Sequence, residues 1–141
     1  MKMLLTLLLS FGALTMTFAQ DSWKLTHNGQ VRLQSKEEDP EANSFAIRIA
    51  DFNKAGSLSV VYNGTGNSSE WIRTIMVVDE SDGELASHKG STYNISNAQL
   101  RSLFKKSATL KLYTMAIPSD PKQAALVRVR RVHLATITFK K

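Results

Sequence analysis

Three arginines near the end of the chain, Arg128, Arg130 and Arg131, are the side chains whose type and spacing point most directly to chemistry. A guanidinium is a planar fork of N–H donors that meets a carboxylate or phosphate through two parallel hydrogen bonds, so arginines gathered on a sheet suit an anionic ligand. In Val127-Arg128-Val129-Arg130 the strand period of two places both arginines on the face opposite the valines. Arg131 falls where that period shifts. The competing reading is ordinary pairing with carboxylates from the first half of the chain.

The remaining candidates carry less. Glu37-Glu38-Asp39-Pro40-Glu41 and Asp79-Glu80-Ser81-Asp82-Gly83-Glu84 supply carboxylates that a fold could bring together across a cleft, which makes a small hydrolase the alternative function. The second run departs from the calcium-loop spacing and reads as a solvated hairpin turn. His27, His88 and His133 show no metal-ligand spacing. His27 reads as a turn residue beside Asn28-Gly29, and His133 as a strand residue facing outward. There is no G-x-S-x-G elbow, and Gly64 and Gly66 form only a G-x-G with no helix after it. Without cysteine there is neither a thiol nucleophile nor a disulfide framework. The expectation is a chain with no catalytic residues, no metal and no cofactor.

These side chains must be placed by what surrounds them, and the first 20 residues stand apart from the rest. Lys2 is followed by an apolar, leucine-rich run to Phe18 and then by Ala19-Gln20. A charged start, an apolar middle and a small residue before the end are the parts of a secretory signal peptide. The run is short for a membrane span, and Asp21-Ser22-Trp23-Lys24 after it has no basic stop-transfer cluster. Residues 1–20 are therefore expected to be a cleaved leader. Residues 21–141 are expected to be one soluble domain without a membrane span, working in the periplasm or outside the cell. The sequons at Asn63, Asn67 and Asn94 are then incidental.

Charge is divided along the chain: residues 21–84 hold six basic and eleven acidic side chains, and residues 85–141 hold eleven basic against the lone Asp120. The split predicts at least one basic surface patch and an anionic partner for it. Export, and the lack of an aromatic-basic motif of the RNA-binding kind, count against nucleic acid.

Beyond the leader the dominant period is two. Trp23 to Thr26 and Gln30 to Gln34 flank Asn28-Gly29, a hairpin signal. Phe45, Ile47 and Ile49 alternate with small or polar residues, and so do Leu58, Val60 and Tyr62. Trp71 to Val78 is apolar on both parities, which suits a strand covered on both faces. Ser96-Asn97-Ala98-Gln99 has the capping-box form, and Leu100, Leu103 and Phe104 make one apolar stripe, so one short helix is expected there. Thr109 to Ala116 alternates again, Ile117 to Pro121 reads as a connection that ends near Ala124-Ala125, and Leu126 to Phe139 reads as one long strand with bulges near Arg130-Arg131 and Ala135-Thr136. The pattern predicts an all-β, antiparallel β-sandwich of about 7–9 strands with one short helix.

The leader ending Phe18-Ala19-Gln20, the opening Trp23-Lys24-Leu25 with Asn28-Gly29, and the closing Asp120-Pro121, Ala124-Ala125 and Val127 to Leu134 together resemble small exported β-sandwich proteins of unknown function from Gram-negative bacteria. The resemblance implies a compact β domain and brings no activity with it. The expected function is a non-enzymatic binding or interaction module of the cell envelope, for an anionic ligand or an envelope protein.

Overall fold

The computed structural model describes residues 20–65 and 70–141. The apolar leader, Gly66 and the Asn67 sequon lie outside the described residues. The chain forms two sheets. One has the order β2-β1-β4-β7, built from β1 (Ser22–His27), β2 (Gln30–Ser35), β4 (Ser57–Asn63) and β7 (Thr92–Ser96). The other has the order β3-β9-β8-β5-β6, built from β3 (Ser44–Arg48), β5 (Trp71–Val78), β6 (Glu84–Lys89), β8 (Thr109–Pro118) and β9 (Val132–Lys140).

The β1–β2 turn forms where Asn-Gly predicts it, with Asn28 at φ 49° and Gly29 at φ 81°, both in the region that a tight hairpin turn requires. The β5–β6 turn is shaped by Asp79, whose Oδ1 accepts from the N–H groups of Ser81 and Gly83 at 2.8 Å each, so this acidic run is indeed a hairpin turn. Alternate residues of each strand enter the space between the sheets. Trp23, Leu25, Leu58 and Val60 from one layer share the core with Ile47, Ile75, Val77, Leu110, Leu112, Leu134 and Ile137 from the other.

At one end the sandwich is closed by a 3-10 helix (Ile49–Asn53) and by α1 (Asn97–Lys106). The capping box of α1 is formed as expected: Ser96 Oγ accepts from the Gln99 N–H, and Gln99 Oε1 accepts from the Ser96 N–H at 3.0 Å. Its stripe of Leu100, Leu103 and Phe104 is buried.

Four sequence expectations need correction. The sandwich is not wholly antiparallel, because β3 lies parallel to β9, with Phe45 opposite Ile137 and Ile47 opposite Phe139. A period of two reports which face is buried and carries no information about strand direction. A second helical turn, α2 (Pro121–Ala124), capped by the Asp120 side chain, occupies part of the stretch read as a plain connection. The segment after it is not the start of a long strand. Residues 126–131 make no ladder, Leu126 is 87% exposed, and β9 begins only at Val132, opposite Thr114. Alternating Val and Arg mimics a strand there, but the β8–β9 ladder stops at Thr114 opposite Val132, and the segment does not follow the edge of β8 that continues to Pro118. Finally, the only irregularity in the β8–β9 pairing sets Leu112 opposite Ala135 and Tyr113 opposite His133, which leaves Leu134 as the extra residue. That is one residue from the second expected bulge. The first, at Arg130-Arg131, lies outside β9.

Candidate functional site

The three arginines of the closing segment are not brought together on a sheet face. Arg130 pairs with Glu38, and Arg131 lies 3.7 Å from Asp82 with its guanidinium 4.5 Å from the Tyr113 ring centre. Arg128 is exposed and has no ion-pair partner among the described residues. The acidic runs of the first half therefore meet the basic segment of the second. Glu38 also accepts from the His133 N–H at 2.7 Å, which ties the loop before β3 to the start of β9.

Two histidines sit where the sequence reading did not put them. His27 shares its strand face with Trp23 and Leu25 and is buried, with Nε2 2.9 Å from Asn97 Oδ1. The Asn97 amide nitrogen faces Asn28 Oδ1 and the carbonyls of Asp51 and Lys54, so its oxygen must be the atom turned to His27, and Nε2 carries the proton. His133 is buried too, because the Leu134 bulge puts His133, Leu134 and Ala135 consecutively out of solvent. Its Nε2 lies 2.8 Å from Thr136 Oγ1, while Nδ1 has no hydrogen-bond partner among the described residues.

Burial lowers the His133 pKa below the ordinary 6.5; Glu38 opposes this shift and Lys111 adds to it. An imidazole that is harder to protonate when folded binds more protons in the unfolded chain just below pH 6.5. Stability should therefore fall as pH drops from about 7 towards 5.5. Urea unfolding midpoints measured across that range should decline less in His133→Gln than in the parent. Equal slopes would remove His133 from the acid response.

At the end of the sandwich opposite α1, the two sheets part around a cleft of about 760 Å³. Its walls come from both layers: Asp21 before β1, Gly64 and Thr65 after β4, Trp71, Ile72 and Arg73 of β5, Ala116 of β8, and Lys89, Gly90 and Ser91 where the chain crosses between sheets. The crossing is anchored on each side, since the Gly90 N–H donates to the Arg73 carbonyl at 2.8 Å and the Tyr62 N–H to the Ser91 carbonyl at 2.8 Å. Gly90 stands at φ 133°, which a side-chain-bearing residue rarely adopts.

Arg73 is the unusual group in this cleft. It shares its face of β5 with Ile75 and Val77, which are core residues, so the guanidinium is directed into the space between the sheets. Its Cζ lies 4.1 Å from the Tyr62 ring centre, and Nη1 donates to Thr114 Oγ1 at 3.2 Å. Thr114, fully buried, donates in turn to the Thr74 carbonyl at 2.9 Å. Among the described residues no carboxylate lies within ion-pair distance of Arg73. The nearby Asp21 is occupied: Oδ2 accepts from the Tyr62 hydroxyl at 2.6 Å, and Oδ1 from the N–H and hydroxyl of Thr65 at 2.9 Å each.

These bonds hold the Asp21 carboxyl below the usual carboxylate range, the Tyr62 hydroxyl contributing most. Burial, helped by Asp21, pushes the Tyr62 phenol up to about 12. Asp21 is thus ionised and satisfied, Tyr62 is neutral, and among the described residues the cation above it has donors without a partner. Lys89 adds a second cation, while Trp71 and Ile72, each 41% exposed, add apolar surface. This arrangement can hold an anion against an apolar wall.

Among the described residues no group of three or more His, Asp or Glu is arranged to hold a metal ion, and no helix is long and apolar enough to cross a membrane. The sequence reading missed Arg73, though a signal was present: Trp71, Arg73, Ile75 and Val77 share one parity, so a cation stands in an otherwise apolar face. No family model, no curated protein and no solved structure matches the chain.

Proposed function

We propose that the chain is an exported, non-enzymatic binding module of the cell envelope, and that the cleft at the open end of its sandwich takes a small anion bearing a ring or other apolar part. The observation that carries this reading is Arg73, a guanidinium on a core-facing strand position with no carboxylate partner among the described residues. Arg73 is half-buried, and holding a cation there with no carboxylate at ion-pair distance is costly, a cost that a bound anion would offset. The Tyr62 face and the Thr114 hydroxyl hold the guanidinium in place, so little side-chain freedom remains to be lost on binding. Asp21 supports the non-enzymatic part of the reading, because a carboxylate already accepting three hydrogen bonds is a poor general base. The leader-like residues 1–20 support export.

The test is an NMR titration with inorganic phosphate and with glucuronate, which adds a ring to a carboxylate. Glucuronate should shift the Trp71 indole N–H and the Gly90 amide saturably and more tightly than phosphate does. Arg73→Gln should weaken it by roughly tenfold or more, the loss expected when a charge-assisted hydrogen bond is removed. An unchanged response in that variant, or no response to either probe in the parent, would rule the cleft out as an anion site.

A further inference from the structure

At the other end of the sandwich, α1, the 3-10 helix and the end of β9 enclose a groove of about 280 Å³ lined by Ile49, Phe52, Phe104, Phe139, Arg101 and Lys105. Three rings form its wall in mutual contact. Their centres are 6.0 Å apart for Phe52 and Phe104, 5.8 Å for Phe52 and Phe139, and 5.4 Å for Phe104 and Phe139. Phe52 and Phe104 are only 7% and 8% exposed, so the aromatic surface is recessed rather than protruding.

The rim is basic. Arg101 and Lys105 are four residues apart in α1 and therefore stand on the same side of the helix. Neither has an ion-pair partner among the described residues, and the one polar contact of the Arg101 guanidinium is a long 3.5 Å approach to Asn53 Oδ1. Arg48 and Lys140, opposite each other one step beyond Ile47 and Phe139, strengthen the positive field without lining the groove. Asp51, at the same end of the sandwich, accepts from the Arg48 N–H within its own turn.

From this combination of a recessed aromatic wall and two unpaired cations at its mouth, we propose that the groove binds a small amphiphilic carboxylate, with the apolar chain against Phe104 and Phe139 and the head between Arg101 and Lys105. Charge complementarity selects the head, since an uncharged or cationic amphiphile would leave both side chains without a counter-ion. The recessed rings suit a molecule that enters the groove; of the lining's apolar side chains Ile49, 48% exposed, is the one that projects, and a membrane surface would be bound through projecting side chains. A groove of this size is at the lower end for small-molecule sites, which fits a medium chain rather than a long one. This site is independent of the Arg73 cleft at the far end of the sheets.

The probe is octanoate, followed by amide and methyl NMR shifts of the protein, with acetate, octylammonium and vesicles rich in phosphatidylglycerol as comparisons. Octanoate is expected to shift Ile49 and Phe104 saturably. Acetate lacks the apolar part and octylammonium has the wrong sign, so both should leave those signals in place. The double variant Arg101→Gln with Lys105→Gln, at two exposed positions of α1, should bind octanoate roughly tenfold or more weakly while keeping the urea midpoint of the parent. Arg73→Gln should bind it unchanged, which separates this site from the cleft. The proposal is overturned by an octanoate response equal in the double variant, by an equal response to octylammonium, or by no response at all. Sedimentation with the vesicles in the absence of octanoate binding would overturn it in favour of a membrane surface.

Discussion

Replacing Asn97 by alanine is expected to lower the free energy of unfolding by about 3 kcal/mol, the scale seen when a buried hydrogen-bond network loses its central member. Asn97 is 4% exposed and opens α1. Its amide nitrogen reaches Lys54 O at 2.8 Å, Asn28 Oδ1 at 3.0 Å and Asp51 O at 3.3 Å, while its oxygen meets His27 Nε2 at 2.9 Å. Two hydrogens serve three acceptors, so one contact is shared. The Asn28 amide nitrogen also donates to the Asp51 carbonyl, so a single side chain joins the first hairpin turn, the 3-10 helix and the start of α1.

Truncation removes the partners of the His27 ring and of the Lys54 carbonyl together, while the Asp51 carbonyl keeps the Asn28 amide, and the buried groups left unpaired cost more than the bonds themselves contributed. Gly56 belongs to the same junction. A Cβ there would lie 2.1 Å from Asn28 Oδ1, so only glycine lets the strand pass this close. Urea denaturation is the measurement. Asn53→Ala, at an exposed position on the same 3-10 helix, is the comparison and should change stability by less than about 0.5 kcal/mol. A similar small effect for Asn97→Ala would show that water replaces the network without loss.

Trp23→Ala should be the more damaging change, at about 3–5 kcal/mol, the usual cost of deleting a large buried aromatic. Trp23 is 3% exposed and lies nearly parallel to Tyr62, with ring centres 6.0 Å apart and planes at 11°. Its indole N–H crosses to the other sheet and donates to the carbonyl of Leu134 at 2.9 Å. Leu134 is the extra residue of the β9 bulge, where the ladder to β8 is interrupted, so a side chain from the opposite layer satisfies that carbonyl. Trp23→Phe separates the two contributions. It keeps most of the packing but leaves the carbonyl unpaired, which should cost about 1–3 kcal/mol. If Trp23→Phe were neutral, the cross-sheet hydrogen bond would have no part in stability. Since Tyr62 carries Arg73 on its ring, Trp23→Phe should also loosen the cleft, which the Gly90 amide shift would report.

The elements that were legible in the sequence are those with purely local causes. Asn28-Gly29 must turn because both positions tolerate positive φ, Ser96 and Gln99 must cap a helix because their side chains reach each other's backbone, and alternation along Leu58, Val60 and Tyr62 must bury one face. The burial of His27 was equally available, since it shares parity with Trp23 and Leu25; its neighbour Asn28-Gly29 drew the reading toward the turn instead. The Val-Arg alternation at residues 127–130 misled for the opposite reason: period is necessary for a strand, but a ladder also needs the backbone to lie along an edge, and this segment makes no ladder with β8 beyond Thr114.

The sequence by itself determined that this chain is built of short strands with one capped helix, that its halves carry opposite charge and that its first residues differ from the rest, because each of these follows from composition or from contacts only a few residues apart. Tertiary structure alone decided that β3 runs parallel to β9, that Glu38 and Asp82 take up Arg130 and Arg131, that the Trp23 indole satisfies a bulge in the opposite sheet, and that Arg73 lies over the Tyr62 ring. Each of these joins residues beyond the reach of a turn or a helix, from 11 positions apart for Tyr62 and Arg73 to 111 for Trp23 and Leu134, and whether a charge is paired depends on which strand is its neighbour, which no local pattern of side chains encodes.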